Sequence, residues 1–211
     1  EPAVLAHVSA MTTHLNFGLA NGVSVDKSVS DAFIKGMADK RVPVKRLWAL
    51  RAGDIWWNLS QEQQTQPDVL AFCQATLPKL VEIWQDVNAN PLPAAQSGLV
   101  TVGHYVTALL IEKVQNAKDE KLVSIFKKSD IISQSLATQP KPSFLLNQKV
   151  YSKVSTEEDV SIAMRALAAI APSLTKTSSE DLANAWAQAV IFFTISRTLS
   201  SLSLIHISDG A

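Results

Sequence analysis

The stretch FIKGMADKRVPVKRLWALRAGDIWW, residues 33–57, decides the fold. Two helical patterns meet in it, one ending near residue 40 and one beginning at Pro43. Proline suits the first position of a helix because its missing N–H would have no partner there. Basic residues interleaved with aromatic ones are also typical of nucleic-acid surfaces, so the stretch is either a helix–turn–helix joint or a binding surface. Its basic residues are Lys35, Lys40, Arg41, Lys45, Arg46 and Arg51.

The second helix of this stretch carries an apolar stripe. At about 100° per residue, its apolar positions fall on one side and would face the interior. Arg51 lies within that stripe, where an unpaired guanidinium would be costly, and Asp54 is within reach three residues later. We therefore expect Arg51 to be at least half buried next to Asp54. The stripe consists of Val44, Trp48, Ala52 and Ile55.

Four cations surround the turn between the two helices. Lys40, Arg41, Lys45 and Arg46 are expected to be largely exposed, and Gly53 falls with the last two on or near the side away from the stripe. They form either a solvated turn edge or a contact for phosphates or an acidic partner. The chain has 19 basic and 19 acidic residues. Such a balance does not steer nucleic acid from a distance, so any contact is expected to be local.

The helix–break–helix pattern recurs along the chain. PDVLAFCQATLPKLVEIWQDV is followed by the break NANPLP and the returning helix AAQSGLVTVGHYVTALLIEKV. Capping boxes at 155–158 and 177–180 start two further helices. Helix pairs that cannot bury their apolar faces alone favour an all-α, right-handed α-solenoid of antiparallel helix pairs over residues 1–201, with a compact bundle as the alternative.

Sequence motifs for catalysis, metal binding and membrane insertion are weak or missing. The four histidines and the single cysteine, Cys73, do not have metal-ligand spacing. Acidic pairs sit in first helical turns, where they complement the helix dipole. The longest uncharged stretch, from Leu182 to Ser196, is shorter than the ~20 residues that a membrane helix needs. We expect no enzyme, no cofactor, no small-molecule substrate and no membrane partner, and one cysteine fits a reducing compartment.

Asp39, Val44 and Lys45 resemble the HEAT-repeat pattern. In that family an Asp after the first helix precedes Val-Arg/Lys at the start of the second, and these residues form an orienting ladder between repeats. The resemblance implies that Asp39, Val44, Trp48, Arg51 and Asp54 belong to a repeat joint. The match departs from the pattern because a tryptophan, Trp48, replaces the small residue three positions after the lysine.

Four ordered segments resemble a narrower family between about Ser28 and Thr198. These are FIKGMADKRVPVKRLWALRAGDIWW, NPLPAAQSGLVTVGHYVTALL, KPSFLLNQKVYSKVSTEEDV and RALAAIAPSL…AWAQAVIF. They are similar to the N-terminal HEAT array of the ribosome-associated translational activators of general amino-acid control. The resemblance implies a cytoplasmic, non-catalytic scaffold that contacts the ribosome, through rRNA or ribosomal proteins, and translation-control proteins. The resemblance also implies that this scaffold promotes activation of the amino-acid-starvation kinase and that the kinase-binding region lies outside this chain. The alternative is a generic HEAT adaptor, such as a transport receptor or an assembly scaffold.

The two ends of the chain suggest a piece of a longer protein. The first residue is not Met, and LSLIHISDGA, residues 202–211, breaks the repeat pattern. Leu202 to Ser208 is similar to the translation of a transposon-derived sequencing adapter. We therefore expect 202–211 to be a non-native tail.

Overall fold

The computed structural model describes residues 2–20, 25–90, 93–94, 98–136, 162, 165–166, 168–170 and 172–173. Within these ranges all regular structure is helical, and no strand occurs among them. The all-α class is confirmed. The predicted capping boxes at 155–158 and 177–180 and the predicted tail at 202–211 lie outside the described residues.

The described residues include seven α-helices with defined bounds, α1 to α7 in chain order. A short 3₁₀ turn, Gln63–Thr65, precedes the fourth helix, and a π-helical turn, Leu110–Val114, continues the fifth. The helices are α1 (Pro2–Ala20), α2 (Lys27–Met37), α3 (Val42–Asn58), α4 (Pro67–Ala89), α5 (Leu99–Leu109), α6 (Glu120–Ser129) and α7 (Ile131–Leu136).

The joint predicted from the opening stretch is present between α2 and α3. Asp26 caps α2 because its carboxylate accepts a hydrogen bond of 2.7 Å from the backbone N–H of Ser28. α2 ends at Met37, three residues before the predicted end. α3 begins at Val42, which places Pro43 at the second helical position rather than the first. Proline is tolerated there because the N–H groups of the first turn have no partner within the helix.

The helices contact one another in two rows. α1 contacts α3 and α3 contacts α5 in one row, while α2 contacts α4 and α4 contacts α6 in the other. The two rows are joined by contacts between α2 and α3 and between α4 and α5. α3 therefore has neighbours on both sides within its own row and contacts two helices, α2 and α4, in the other row. This position explains why α3 is buried over more than the one predicted stripe.

The same buried hydrogen bond joins two successive pairs of helices. The indole N–H of Trp56 on α3 donates to the hydroxyl of Thr76 on α4 at 3.1 Å. Likewise, the indole N–H of Trp84 on α4 donates to Thr107 on α5 at 3.0 Å. Both indoles are fully buried, and burial of an indole N–H without a partner would be costly. Each tryptophan thus fixes the position of the helix that follows it.

Candidate functional site

The basic turn between α2 and α3 contains the four cations that the sequence proposed as a contact. Lys40 and Arg41 are exposed, as predicted. Lys45 and Arg46 are partly buried. The expectation of four largely exposed cations is therefore correct for two of them and wrong for the other two.

Arg46 is partly buried because α5 covers the side of α3 that was expected to face away from the interior. Its Nε donates a hydrogen bond of 3.1 Å to the backbone carbonyl of Gly98. Gly98 directly precedes α5 and has φ of 76°, a conformation that glycine adopts without strain. Gly53, expected on the same outer side, is buried against the ring of Tyr105. Arg46 thus fixes the turn that starts α5.

Asp39 closes the basic turn through Arg41. Its carboxylate accepts hydrogen bonds from the backbone N–H of Arg41 at 2.8 Å and from the guanidinium at 3.0 and 2.8 Å. These bonds lower the pKa of Asp39 to about 2, and the charge of Lys45 contributes less. Among the described residues, the hydrogen bonds of Asp39 stay within its own turn. The ladder between repeats that the HEAT pattern implies is not among them.

Arg51 and Asp54 form the predicted pair near the end of α3. Arg51 Nη1 donates to Asp54 Oδ2 at 2.7 Å, and the Arg51 side chain is 34% exposed. The prediction that Arg51 is at least half buried beside Asp54 is confirmed. The other oxygen of Asp54 accepts a hydrogen bond of 2.9 Å from the hydroxyl of Tyr105 on α5. Burial raises the pKa of Tyr105 and the charge of Asp54 raises it further, so the phenol remains the donor.

A cluster of aromatic and charged side chains adjoins this pair, and the sequence did not indicate it. Trp57 stacks on Tyr105 with ring centroids 5.7 Å apart. The guanidinium of Arg165 lies 3.3 Å from the Trp57 ring centroid and pairs with Glu112 at 3.1 Å. Lys113 lies 5.8 Å from the same ring. Glu112 and Lys113 both come from the π-helical turn after α5, a type of turn that often occurs at functional sites.

Comparison with protein families identifies the chain. The model of the family described as general control nonderepressible 1 (Gcn1) N-terminal matches residues 1–203. The chain belongs to the Gcn1 N-terminal family. This match confirms the resemblance to the translational activators, because Gcn1 is the activator of the eIF2α kinase. Comparison with curated proteins gave no match, and comparison with solved structures gave none either.

The Gcn1 N-terminal family is a regulatory helical family and not a known catalytic one. Across the described ranges of this Gcn1-family chain, no three His, Cys, Asp or Glu side chains are grouped closely enough to hold a metal ion. Cys73 is buried, and burial raises the pKa of its thiol, which keeps it in the unreactive neutral form. No helix among the described residues is both long and apolar enough to cross a membrane.

Proposed function

We propose that this Gcn1-family chain is a non-catalytic scaffold segment of a ribosome-binding regulator that promotes activation of the amino-acid-starvation kinase. The family match over residues 1–203 is the observation that carries this proposal. We place the chain in the cytoplasm, where translating ribosomes are found. Capture of the kinase belongs to another region of the full-length protein, so this segment contributes to ribosome docking or to the length of the scaffold.

We also propose that the helices form a right-handed HEAT solenoid. Two rows of helices, each contacting its neighbours in the row, support this arrangement, because a solenoid stacks helix pairs side by side. The repeated tryptophan–threonine bonds support it as well. Trp56–Thr76 and Trp84–Thr107 hold the two rows together, one from α3 to α4 and the other from α4 to α5.

The basic turn is our candidate for the ribosome contact. Lys40, Arg41, Lys45 and Arg46 place four cations on one turn, and rRNA offers phosphates while ribosomal proteins offer acidic side chains. Arg41 is bonded to Asp39, and Arg46 is bonded to the carbonyl of Gly98. Changing either arginine would therefore disturb the fold as well as the charge.

Co-sedimentation of the full-length protein with ribosomes tests this function. We expect the double variant Lys40→Glu/Lys45→Glu to sediment less with ribosomes than the wild type, with a weaker dependence on salt because fewer phosphates are neutralised. The matched control is Lys127→Glu/Lys128→Glu, which changes the charge equally at the exposed end of α6.

Two outcomes would contradict these assignments. Equal sedimentation of the turn variant and the wild type would remove the basic turn as a contact. Failure of the full-length protein itself to associate with ribosomes would reject ribosome docking, and the generic HEAT adaptor would then describe the chain better.

A further inference from the structure

A polar cleft of about 390 Å³ lies across α1, α3 and α5. It is separate from the basic turn, since it is built on the Arg51 end of α3. Its volume falls within the range of ~300–1,000 Å³ that ligand pockets occupy. Hydroxyl and amide side chains dominate its walls, in contrast to the apolar lining usual in small-molecule pockets. The polar lining includes Ser9, Thr12, Asn16, Arg51, Asn58 and Tyr105.

Some polar groups that line this cleft have hydrogen-bond partners within the chain, and others have none. Two buried atoms, Asn16 Oδ1 and Arg51 Nε, have no hydrogen-bond partner among the described residues. Thr12 donates its hydroxyl proton to the carbonyl of Val8 in its own helix, which leaves its oxygen able to accept. Both oxygens of Asp54 are already occupied, by Arg51 and by Tyr105. Asn16 on α1 and Arg51 on α3 therefore keep unused acceptor and donor capacity beside the cleft, which a ligand reaches once these side chains rotate towards it.

The charges at the cleft do not fit a nucleic acid or a cation. Arg51 is neutralised by Asp54 inside the cleft, and Arg165 is neutralised by Glu112 beside it. Binding of a nucleic-acid backbone depends on cations that remain available for phosphates. A cation would need several anionic ligands, and Asp54, whose charge is balanced by Arg51, is the one carboxylate among the residues that line the cleft. The fitting ligand is close to neutral and presents both donors and acceptors.

A peptide backbone has this chemistry. Each peptide unit carries one N–H donor and one carbonyl acceptor, so it can bond to amides on one wall and to a guanidinium on the other. Trp57 and Tyr105, which stack on each other, also line the cleft, and their exposed edges add apolar surface for a side chain of the bound segment. We propose that this cleft binds an extended peptide segment of a partner protein. Its carbonyl groups face Arg51, and its N–H groups face Asn16.

A peptide library displayed on phage tests the proposal with the full-length protein. A randomised 12-residue library is first depleted on the double variant Asn16→Ala/Asn58→Ala and is then selected on the wild type. We expect enriched peptides that bind the wild type about tenfold more tightly than the double variant, since two hydrogen bonds are lost. The matched control is Gln85→Ala, an exposed amide on α4 in the other row, which should bind like the wild type.

Two further measurements separate backbone recognition from other modes. Replacing individual backbone N–H groups of an enriched peptide by N-methyl groups should weaken binding at one or two central positions. Circular dichroism and thermal melting show whether the double variant folds like the wild type. The proposal is overturned if no peptide is enriched, if N-methylation has no effect at any position, or if a 20-nucleotide oligouridylate displaces the peptide from the wild type.

Discussion

Two arginine–aspartate pairs lie at opposite ends of α3 and differ in what they connect. Asp39 and Arg41 are 2.8 Å apart at the turn before α3, and the Arg41 side chain is 68% exposed. Arg51 and Asp54 are 2.7 Å apart near the end of α3, and the Arg51 side chain is 34% exposed. The distances are nearly equal, so distance alone does not separate them.

The surroundings of each pair determine its role. The Asp39–Arg41 pair closes a single turn, and water screens an exposed pair so that it contributes little to stability. The Arg51–Asp54 pair extends to Tyr105, which lies 51 residues away in the chain and on another helix. One pair is therefore local, while the other connects α3 to α5.

The largest effect is expected from Asp54→Ala. The change removes the partner of Arg51 and the acceptor of the Tyr105 hydroxyl, and both groups are partly buried. Leaving buried donors unsatisfied typically costs about 1–3 kcal/mol, so we expect the free energy of unfolding to fall by about 2 kcal/mol. Urea unfolding followed by circular dichroism measures it. Asp39→Ala is the comparison, and an equal loss in the two variants would show that the two pairs do not differ in role.

A smaller effect is expected from Gly53→Ala, which tests how closely α5 approaches α3. A Cβ at this position would overlap the ring of Tyr105, and that ring is held by Trp57 and Asp54. Overpacking costs about 1–3 kcal/mol, while alanine gains up to about 1 kcal/mol over glycine in a helix. The net result is a loss of about 1 kcal/mol in the free energy of unfolding.

The same substitution in a Tyr105→Ala background provides the control. Without the ring, only the helix preference remains, so Gly53→Ala should then stabilise the chain by about 0.5–1 kcal/mol. Urea unfolding of the wild type, the two single variants and the double variant measures the coupling between positions 53 and 105. A loss of equal size in both backgrounds would mean that the close approach of Tyr105 is not its cause.

The helical periodicity of the sequence predicted those features of α3 that depend only on residues within the helix itself. The buried stripe of Val44, Ala52 and Ile55 follows from the helical repeat, and so does the pairing of Arg51 with Asp54. Both depend on residues three or four positions apart, whose geometry a helix fixes by itself. The family resemblance also came from local segments and was confirmed over residues 1–203.

Contacts between distant parts of the chain could not be predicted in this way. The burial of Arg46 depends on Gly98, and the cluster at Trp57 depends on Glu112, Lys113 and Arg165. No pattern within α3 indicates which helix will lie against its second face. The mixed composition of α3 predicts one buried and one exposed side. In the structure α1 and α5 lie on either side of α3 and cover both.

The smallest expected effect concerns the exposed pair and is measured as a pKa. The carboxyl group of Asp39 has its pKa lowered to about 2, mainly by Arg41, against about 3.9 for an aspartate in an unfolded chain. A lowered pKa in the folded state stabilises the fold above pH ~4, and this contribution is lost as the pH falls from about 4 towards 2. Arg41→Ala should therefore raise the pKa of Asp39 and leave less stability to lose in that window.

Carbon-13 NMR titration of the side-chain carboxyl groups measures this pKa directly. Asp26 is the matched internal control, because its pKa is also lowered, but by a hydrogen bond from Ser28 and without an arginine. We expect Arg41→Ala to raise the pKa of Asp39 and to leave that of Asp26 unchanged. An unchanged pKa of Asp39 would show that the backbone N–H of residue 41 holds the carboxylate without the guanidinium. The contrast with the Arg51–Asp54 pair would then become sharper, because the guanidinium of Arg41 would contribute nothing to the charge state of Asp39.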